Sequence, residues 1–297
     1  MPNTDITLVT GATGNTGSGV AASLLARGRR VRALVCDEAK AIGLRVQGAE
    51  IAVVDLDRPE TLSDDLLDGV TGVYFVTWNG PSALQQSRNL LETITRSGAA
   101  PHIVRLSGYG TPQSRIISEL AKCEEELKAS GLPWTILKPT FFMQNVMMAA
   151  STVREQGAIY FDWGSGKAGM IDLRDVVDCA VGVLTGEAGA VEGEIFVLTG
   201  PAAIGFADVA ASLSQVLGQA VEYVPVPHAA ASEAMLAMGV PNWIVKGFAE
   251  LSAGFEDGFA DLTTDGVQRL SGHEPRDLER FARDFAEVFA GAPVVIA

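Results

Sequence analysis

Cysteine is scarce in this 297-residue chain: Cys36, Cys123 and Cys179 are odd in number, widely spaced, and form no C-x-x-C pair. That pattern excludes a disulfide framework and reads as reduced thiols of a cytoplasmic protein. Histidine is equally thin, and the dispersal of His102, His228 and His273 argues against a His/Cys metal site, so no metal is expected. Positive charge is short as well. Lys and Arg total 22 against 36 Asp and Glu, a formal net charge of −14, whereas nucleic-acid partners demand clustered cations to displace phosphate counterions. Met1-Pro2-Asn3-Thr4-Asp5 has neither a basic nor an apolar leader pattern. No apolar run approaches the roughly 20 residues of a membrane span, so no membrane partner is expected. These gaps leave a cytoplasmic protein acting on a neutral or cationic small molecule, with no signal for oligomeric state.

What the chain does have is apolar material and glycine. Hydrophobic residues make up 47% and charged residues 20%, enough for a sizeable core. Short β-rich runs alternate with helical patterns through the first half. Ile6–Thr10, Val31–Val35, Ile51–Val54, Gly72–Val76, His102–Leu106 and Trp134–Leu137 read as strands. Helices are expected after the first glycine turn, from Asp37 to Gln47, from Pro59, from Pro81 to Ser97 and from Gln113 to Ser130. On the last of these, the acidic run Glu124-Glu125-Glu126 reads as a solvated helix face. Near-continuous apolar strands alternating with helices predict parallel pairing with right-handed crossovers. The expected fold is therefore α/β, a Rossmann-type doubly wound parallel sheet with a smaller C-terminal α/β substrate lobe. Residues 1–145 form the expected NAD(P)-binding domain. Residues 146–297 mainly form the lobe, with some segments returning to the sheet. In that second half, Ile195–Leu198 and Val221–Val224 read as strands, and Phe206–Leu217, Ala229–Ala237 and Asp277–Phe289 as helices.

The most specific motif is Gly11-Ala12-Thr13-Gly14-Asn15-Thr16-Gly17, directly after the first strand. Gly11 permits a tight turn, Gly14 lets backbone approach a pyrophosphate, and Gly17 allows close helix–strand packing. The helix start then offers free N–H groups and a positive dipole end. At the end of the second strand, Cys36-Asp37-Glu38 precedes Lys40. Asp37 stands where an acid would take NAD ribose hydroxyls, or it is only a helix N-cap; Lys40 and Arg32 are candidates for an NADP phosphate. NAD versus NADP stays open. Asp55, closing the third strand, is either an acceptor for the adenine amino group or a solvated loop carboxylate.

The glycine motif, Leu106-Ser107-Gly108 and the stretch from Ser130 to Asn145 (SGLPWTILKPTFFMQN) together resemble the NmrA-like branch of the atypical short-chain dehydrogenases. Thr264–Gly272 resembles that branch's C-terminal substrate-side helix. The resemblance implies NAD(P)H-dependent reduction of quinones or triphenylmethane dyes, isoflavone-reductase-like chemistry, or redox sensing without turnover. It implies that Gly11, Thr13, Gly14, Asn15, Thr16 and Gly17 hold the pyrophosphate. Asp55 and Leu56 would flank the adenine, Thr77 and Trp78 lie along the cofactor, and Pro139 to Phe142 face the nicotinamide. NADP-binding members often carry Arg where this chain has Cys36.

Short-chain dehydrogenases generally use Tyr-x-x-x-Lys for proton exchange. None of Tyr74, Tyr109, Tyr160 and Tyr223 has Lys four residues on. Lys122 lies on the expected helix, but Ser118 stands in the tyrosine's place, and the isoflavone-reductase-like lysine aligns with Leu120. Ser107 and Tyr109 are the remaining candidate catalytic hydroxyls, read equally well as a turn residue and a packing aromatic. Hydride transfer to a planar, electron-poor acceptor needs mainly positioning. Trp78, Phe141, Phe142, Met143, Met147 and Trp163 are the expected apolar lining, or else core. The expectation is an NAD(P)H-dependent reductase of such acceptors; the alternative is an NAD(P)-binding redox sensor. No Gly-x-Ser-x-Gly elbow or nucleotide-triphosphate loop is present.

Overall fold

The structure, a computed structural model, describes residues 5–78 and 80–292. Met1–Thr4 and the end of the expected lobe, 293–297, lie outside them. Strand β1 (Ile6–Val9) turns through the glycines into α1 (Asn15–Ala26), and β2 (Arg30–Val35) leads to a 3-10 turn (Glu38–Ala41) and α2 (Ile42–Val46). After β3 (Glu50–Val53) come two 3-10 turns, Pro59–Thr61 and Asp64–Leu67. The next elements are β4 (Val70–Phe75), α3 (Ala83–Ser97), β5 (His102–Leu106), α4 (Arg115–Ala129) and β6 (Trp134–Pro139). A 3-10 segment (Met143–Ala149) leads through α5 (Ala150–Gln156) to β7 (Ala158–Phe161), α6 (Leu173–Thr185) and β8 (Glu194–Leu198). The chain closes with α7 (Phe206–Leu217), β9 (Glu222–Pro225), α8 (His228–Ala237) and α9 (Asn242–Glu256). Three short helices end it: α10 (Gly266–Ser271), α11 (Leu278–Asp284) and α12 (Ala286–Ala290).

Seven strands form one parallel sheet in the order β3-β2-β1-β4-β5-β6-β8. Side chains alternate across it. Val9, Tyr74, Val104 and Leu137 enter the core under α1 and α6, whereas Leu8, Phe75, Ile103 and Ile136 enter the opposite core, with Leu90, Ile94 and Leu127 of α3 and α4. Both faces are covered, as β-branched parallel strands require. The order reverses between β1 and β4, and such a switch point opens a crevice at the strands' carboxyl ends. A third, aromatic core belongs to the smaller unit built on β7 and β9, which pair in parallel, with α5, α7, α11 and α12 around them.

Several local expectations are corrected. The Asp37–Gln47 helix is split, because the Asp37 carboxylate accepts from Ala39 N–H and starts a 3-10 turn, and Gly43 weakens the short α2 beyond it. The helix expected from Pro59 is only two 3-10 turns; Leu62, Leu66 and Leu67 are buried there, too few for an amphipathic stripe. The last helix breaks at Phe285. Within the segment expected on the substrate side, α10 instead packs on α6 and β8, with Val267 and Leu270 in the sheet's core. Glycine permits this: a Cβ on Gly182 would lie 2.0 Å from the Leu270 carbonyl oxygen, and one on Gly266 2.7 Å from that of Val197. Helices α5, α6 and α9 and strand β7 have no counterpart among the expected elements.

Candidate functional site

The β1–α1 turn is a cradle from which side chains are excluded. Gly11 has φ +58, and a Cβ there would lie 2.7 Å from Val76 Cγ1. A Cβ on Gly17 would sit 2.2 Å from the Gly11 carbonyl oxygen, and one on Gly14 3.2 Å from it. Gly14 is the N-cap of α1 and supplies no side-chain cap, and the first turn carries no acid. The leading N–H groups of the helix therefore have no intrahelical acceptor and face outward at the positive dipole end. Thr13 and Asn15 are exposed at its rim, while Thr16 is buried beneath. These features fit a pyrophosphate. Thr10 anchors the cradle, its hydroxyl bonded to both backbone groups of Val76.

At the β2 and β3 ends, Cys36, Asp55, Asp57 and Lys40 are close enough to interact electrostatically. Burial, then the Asp55 and Asp57 carboxylates, push the Cys36 thiol above its ordinary value. Asp37 is spent as the cap of its 3-10 turn. Arg32 is turned away and spent: it pairs with Glu50 and donates to the carbonyls of Asp65, Leu66 and Asp68. Lys40 is exposed and has no ion pair among the described residues. One Asp55 oxygen accepts from Asp57 N–H at 3.0 Å. Gln86, on α3, donates to Asp57 and accepts from Trp78 N–H, and Asn89 donates to the Leu56 carbonyl. These two amides join the loops after β3 and β4. Sequence reading missed both, although polar residues on the buried side of an amphipathic helix are a usable signal.

The central strand ends carry a buried polar layer. Arg105 is fully buried, donates to Thr77 Oγ1 at 2.9 Å, and lies 4.5 Å over the Phe75 ring. Its Nε and Nη1 have no hydrogen-bond partner among the described residues, and burial lowers its pKa. Ser107 donates to Glu124 Oε1 at 2.5 Å, and Lys138 Nζ lies 2.9 Å from the same oxygen and 3.1 Å from Oε2. Glu124 does not join the solvated acidic face expected of its run; it is 4% exposed. It escaped notice because α4 turns one of three consecutive glutamates inward, a matter of helical phase. Tyr109 packs against Phe259 at 5.4 Å, and its hydroxyl has no partner among the described residues.

Beyond β6, Phe141 and Phe142 diverge. Phe142 packs on the sheet's core and Phe141 on the aromatic core, 4.7 Å from Trp163. Pro139 is buried and its carbonyl accepts from Tyr109 N–H. Met143, Met147 and Trp163 are 1, 6 and 1% exposed and present almost no surface; Trp78, at 57%, is open. The expected lining therefore divides between crevice and core. Helix α9 spans the two units. Ser114 donates to the Gly247 carbonyl and Arg115 pairs with Glu250 on one side, while Ser252 donates to Asp162 on the other. Gly247 and Gly254 bring it against Ile116 and Thr111, where a Cβ would stand 2.6 Å from each side chain.

Sheet, switch point and cradle together define a dinucleotide-binding Rossmann-type α/β protein. The NmrA-like family model matches residues 3–287, and the chain belongs to the NmrA-like family. It is 36% identical over 288 residues to the NAD(P)H azoreductase of Xenophilus azovorans, covering 96% of this chain and 99% of that one. Among solved structures it resembles an NADPH-dependent quinone oxidoreductase of Escherichia coli complexed with NADPH, with a TM-score of 0.84 and 24% identity over 95% and 99% of the two chains. It also resembles the Citrobacter sp. triphenylmethane reductase complexed with NADP(H), with a TM-score of 0.80 and 25% identity over 94% and 99%. No helix among the described residues is long and apolar enough to cross a membrane.

Proposed function

We propose that this protein is an NAD(P)H-dependent reductase of planar, apolar, electron-poor small molecules: quinones, azo compounds or cationic dyes. The observation that carries the reading is the cradle at the switch point, where Gly11, Gly14 and Gly17 leave room for a pyrophosphate and uncapped N–H groups face it. Thr13, Asn15 and Thr16 complete that end. Cys36 and Lys40 would meet the adenosine ribose, Asp55 and Leu56 the adenine, and Thr77, Trp78, Pro139 and Phe142 the nicotinamide side. The bound cofactor supplies hydride. Exposed Trp78 and the partly buried Phe141 and Tyr109 would offer aromatic surface for a flat acceptor. The similarity to an azoreductase, a quinone oxidoreductase and a triphenylmethane reductase supports the acceptor class. The missing Tyr-x-x-x-Lys pair fits acceptors that are already electron-poor.

The test is loss of absorbance at the reduced-nicotinamide band with NADH or NADPH and a panel of quinones, azo dyes and cationic dyes. Acceptor-dependent oxidation is expected. A protein that binds the cofactor but oxidises it with none of these acceptors refutes the reading.

A further inference from the structure

We propose that Lys138, Glu124 and Ser107 form a proton relay that serves acceptors requiring a proton as well as a hydride; this rests on the protein being such a reductase. The three side chains come from β6, α4 and the end of β5 and meet on one face of the sheet, because residues two apart on a strand share a face. Ser107 shares the Arg105 side of β5, and Lys138 the Ile136 side of β6. The cluster lies at the carboxyl ends of β5 and β6, one residue from Gly108. Its order is set by donor and acceptor capacity. Ser107 has one proton, which it gives to Glu124, so its lone pairs are left for a ligand. Glu124 is buried between that hydroxyl and the Lys138 ammonium, and Arg105 acts on it electrostatically from β5. Lys138 is the member in contact with water, its side chain 20% exposed against 5% for Glu124. A buried serine–carboxylate–ammonium chain with its cationic end at solvent is a path from water to the site.

For a quinone, hydride addition brings two electrons and leaves an oxyanion. An O–H bond forms there as the Ser107 hydroxyl, rotated from Glu124 to the oxyanion, gives up its proton. The Lys138 ammonium protonates the Glu124 carboxylate, and the new Glu124 O–H passes its proton to Ser107 Oγ and restores the hydroxyl. Water reprotonates Lys138. The product gains one hydride and one proton, and all three side chains end as they began. A cationic triphenylmethane dye is neutralised by hydride alone and takes no proton. Ser107 touches the acceptor; Glu124 and Lys138 act through it as positioning and proton-supplying residues.

The experiment compares kcat for a quinone and for a cationic dye, at saturating NADPH, in the wild type and in Ser107→Ala, Glu124→Gln and Lys138→Gln. The quinone-to-dye ratio is expected to fall roughly 100-fold in each, in the range of general acid catalysis, with loss of the solvent deuterium effect on quinone reduction. A second readout needs no turnover. With oxidised cofactor, calorimetric affinity for the hydroquinone product is expected to weaken about tenfold in Glu124→Gln, where the amide can donate to Ser107 and occupy its acceptor lone pair. Parallel loss of both activities, or an unchanged ratio and unchanged hydroquinone affinity, overturns the relay. Wild-type protein that binds cofactor and reduces neither acceptor overturns the reductase reading and the relay with it. Ser107→Ala removes one oxygen and keeps the Glu124–Lys138 pair, so it provides the test if either charged variant fails to fold.

Discussion

The hydroxyl of Thr10 makes two hydrogen bonds to one residue: Oγ1 donates to the Val76 carbonyl at 2.6 Å and accepts from Val76 N–H at 2.8 Å. Thr10 follows β1, Val76 follows β4, and the side chain of Val76 is what a Cβ on Gly11 would strike. One residue thus pins the switch point open and limits the glycine turn. Thr10→Val should leave both backbone groups of Val76 short of a partner, costing about 1–3 kcal/mol. Urea unfolding will show this, and Thr10→Ser should recover most of the loss.

Gly17→Ala places a methyl 2.2 Å from the Gly11 carbonyl oxygen, so the turn must move. Cofactor affinity should fall roughly 100-fold, about 2.7 kcal/mol, as read by fluorescence titration. Gly28→Ala is the control. Its Cβ meets open space but its φ of +70 is left-handed, so it should cost about 1 kcal/mol or more of stability while leaving the affinity unchanged.

Cys36 stands exposed beside Lys40, with Asp55 and Asp57 near. Cys36→Arg should move the NADPH/NADH ratio of kcat/KM toward NADPH by roughly tenfold or more, since a second cation would meet the 2′-phosphate. No change in that ratio would place the adenosine ribose elsewhere.

His228 lies between two acids, with Nδ1 2.9 Å from Asp162 and Nε2 3.0 Å from Glu256. The Asp162 hydrogen bond, and then the other charges, raise its pKa; Ser252 and Tyr223 are the neutral groups near the same acids. A raised folded-state pKa means the stabilisation is complete below the unfolded value of about 6.5 and is lost as pH rises through the higher folded value. The melting temperature of the wild type, measured against His228→Gln, should therefore show its advantage near pH 6 and lose it at alkaline pH. A constant difference across that range would show that the histidine is not charged in the folded state.

Asp175 is fully buried on α6 and receives the Arg276 guanidinium and backbone N–H. Asp178 and His273 stand close enough to share a cation with Asp175, but Arg276 also bonds to Asp178. Arg276→Leu should cost about 3–5 kcal/mol by leaving a buried carboxylate unpaired. The measurement is chemical denaturation at neutral pH, where burial already raises the Asp175 pKa. Recovery of stability at low pH, as that carboxyl is protonated, would confirm the cause.

Most strands were legible because each is a short apolar run bounded by turn or polar residues, a pattern that does not depend on which strands pair. The Gly11–Gly17 turn was legible for the same local reason. The segment after Pro59 misled because a proline and a leucine-containing stretch signal a helix start without saying how much apolar surface there is to bury. Helix α6 has a strong apolar stripe, but the glycine- and aromatic-rich segments around it mask its limits. Glu124 and Lys138 were hidden more deeply. Nothing local distinguishes Glu124 from Glu125 and Glu126, and Lys138 looks like a strand's polar exception.

What the sequence alone determined is therefore whatever depends on backbone conformation and short-range periodicity: a parallel α/β alternation, the glycine turn that opens it, and the membership those motifs signal. The tertiary structure decided everything that depends on which side chains meet across elements. It divided Phe141 from Phe142, sent Met143, Met147 and Trp163 into a core, spent Arg32 and Asp37 on local bonds, and closed Ser107, Glu124 and Lys138 into one cluster. The physical reason is range. Hydrogen bonding and φ/ψ preference act within a few residues, whereas burial and charge pairing join partners anywhere in the chain, and only the assembled sheet brings them together.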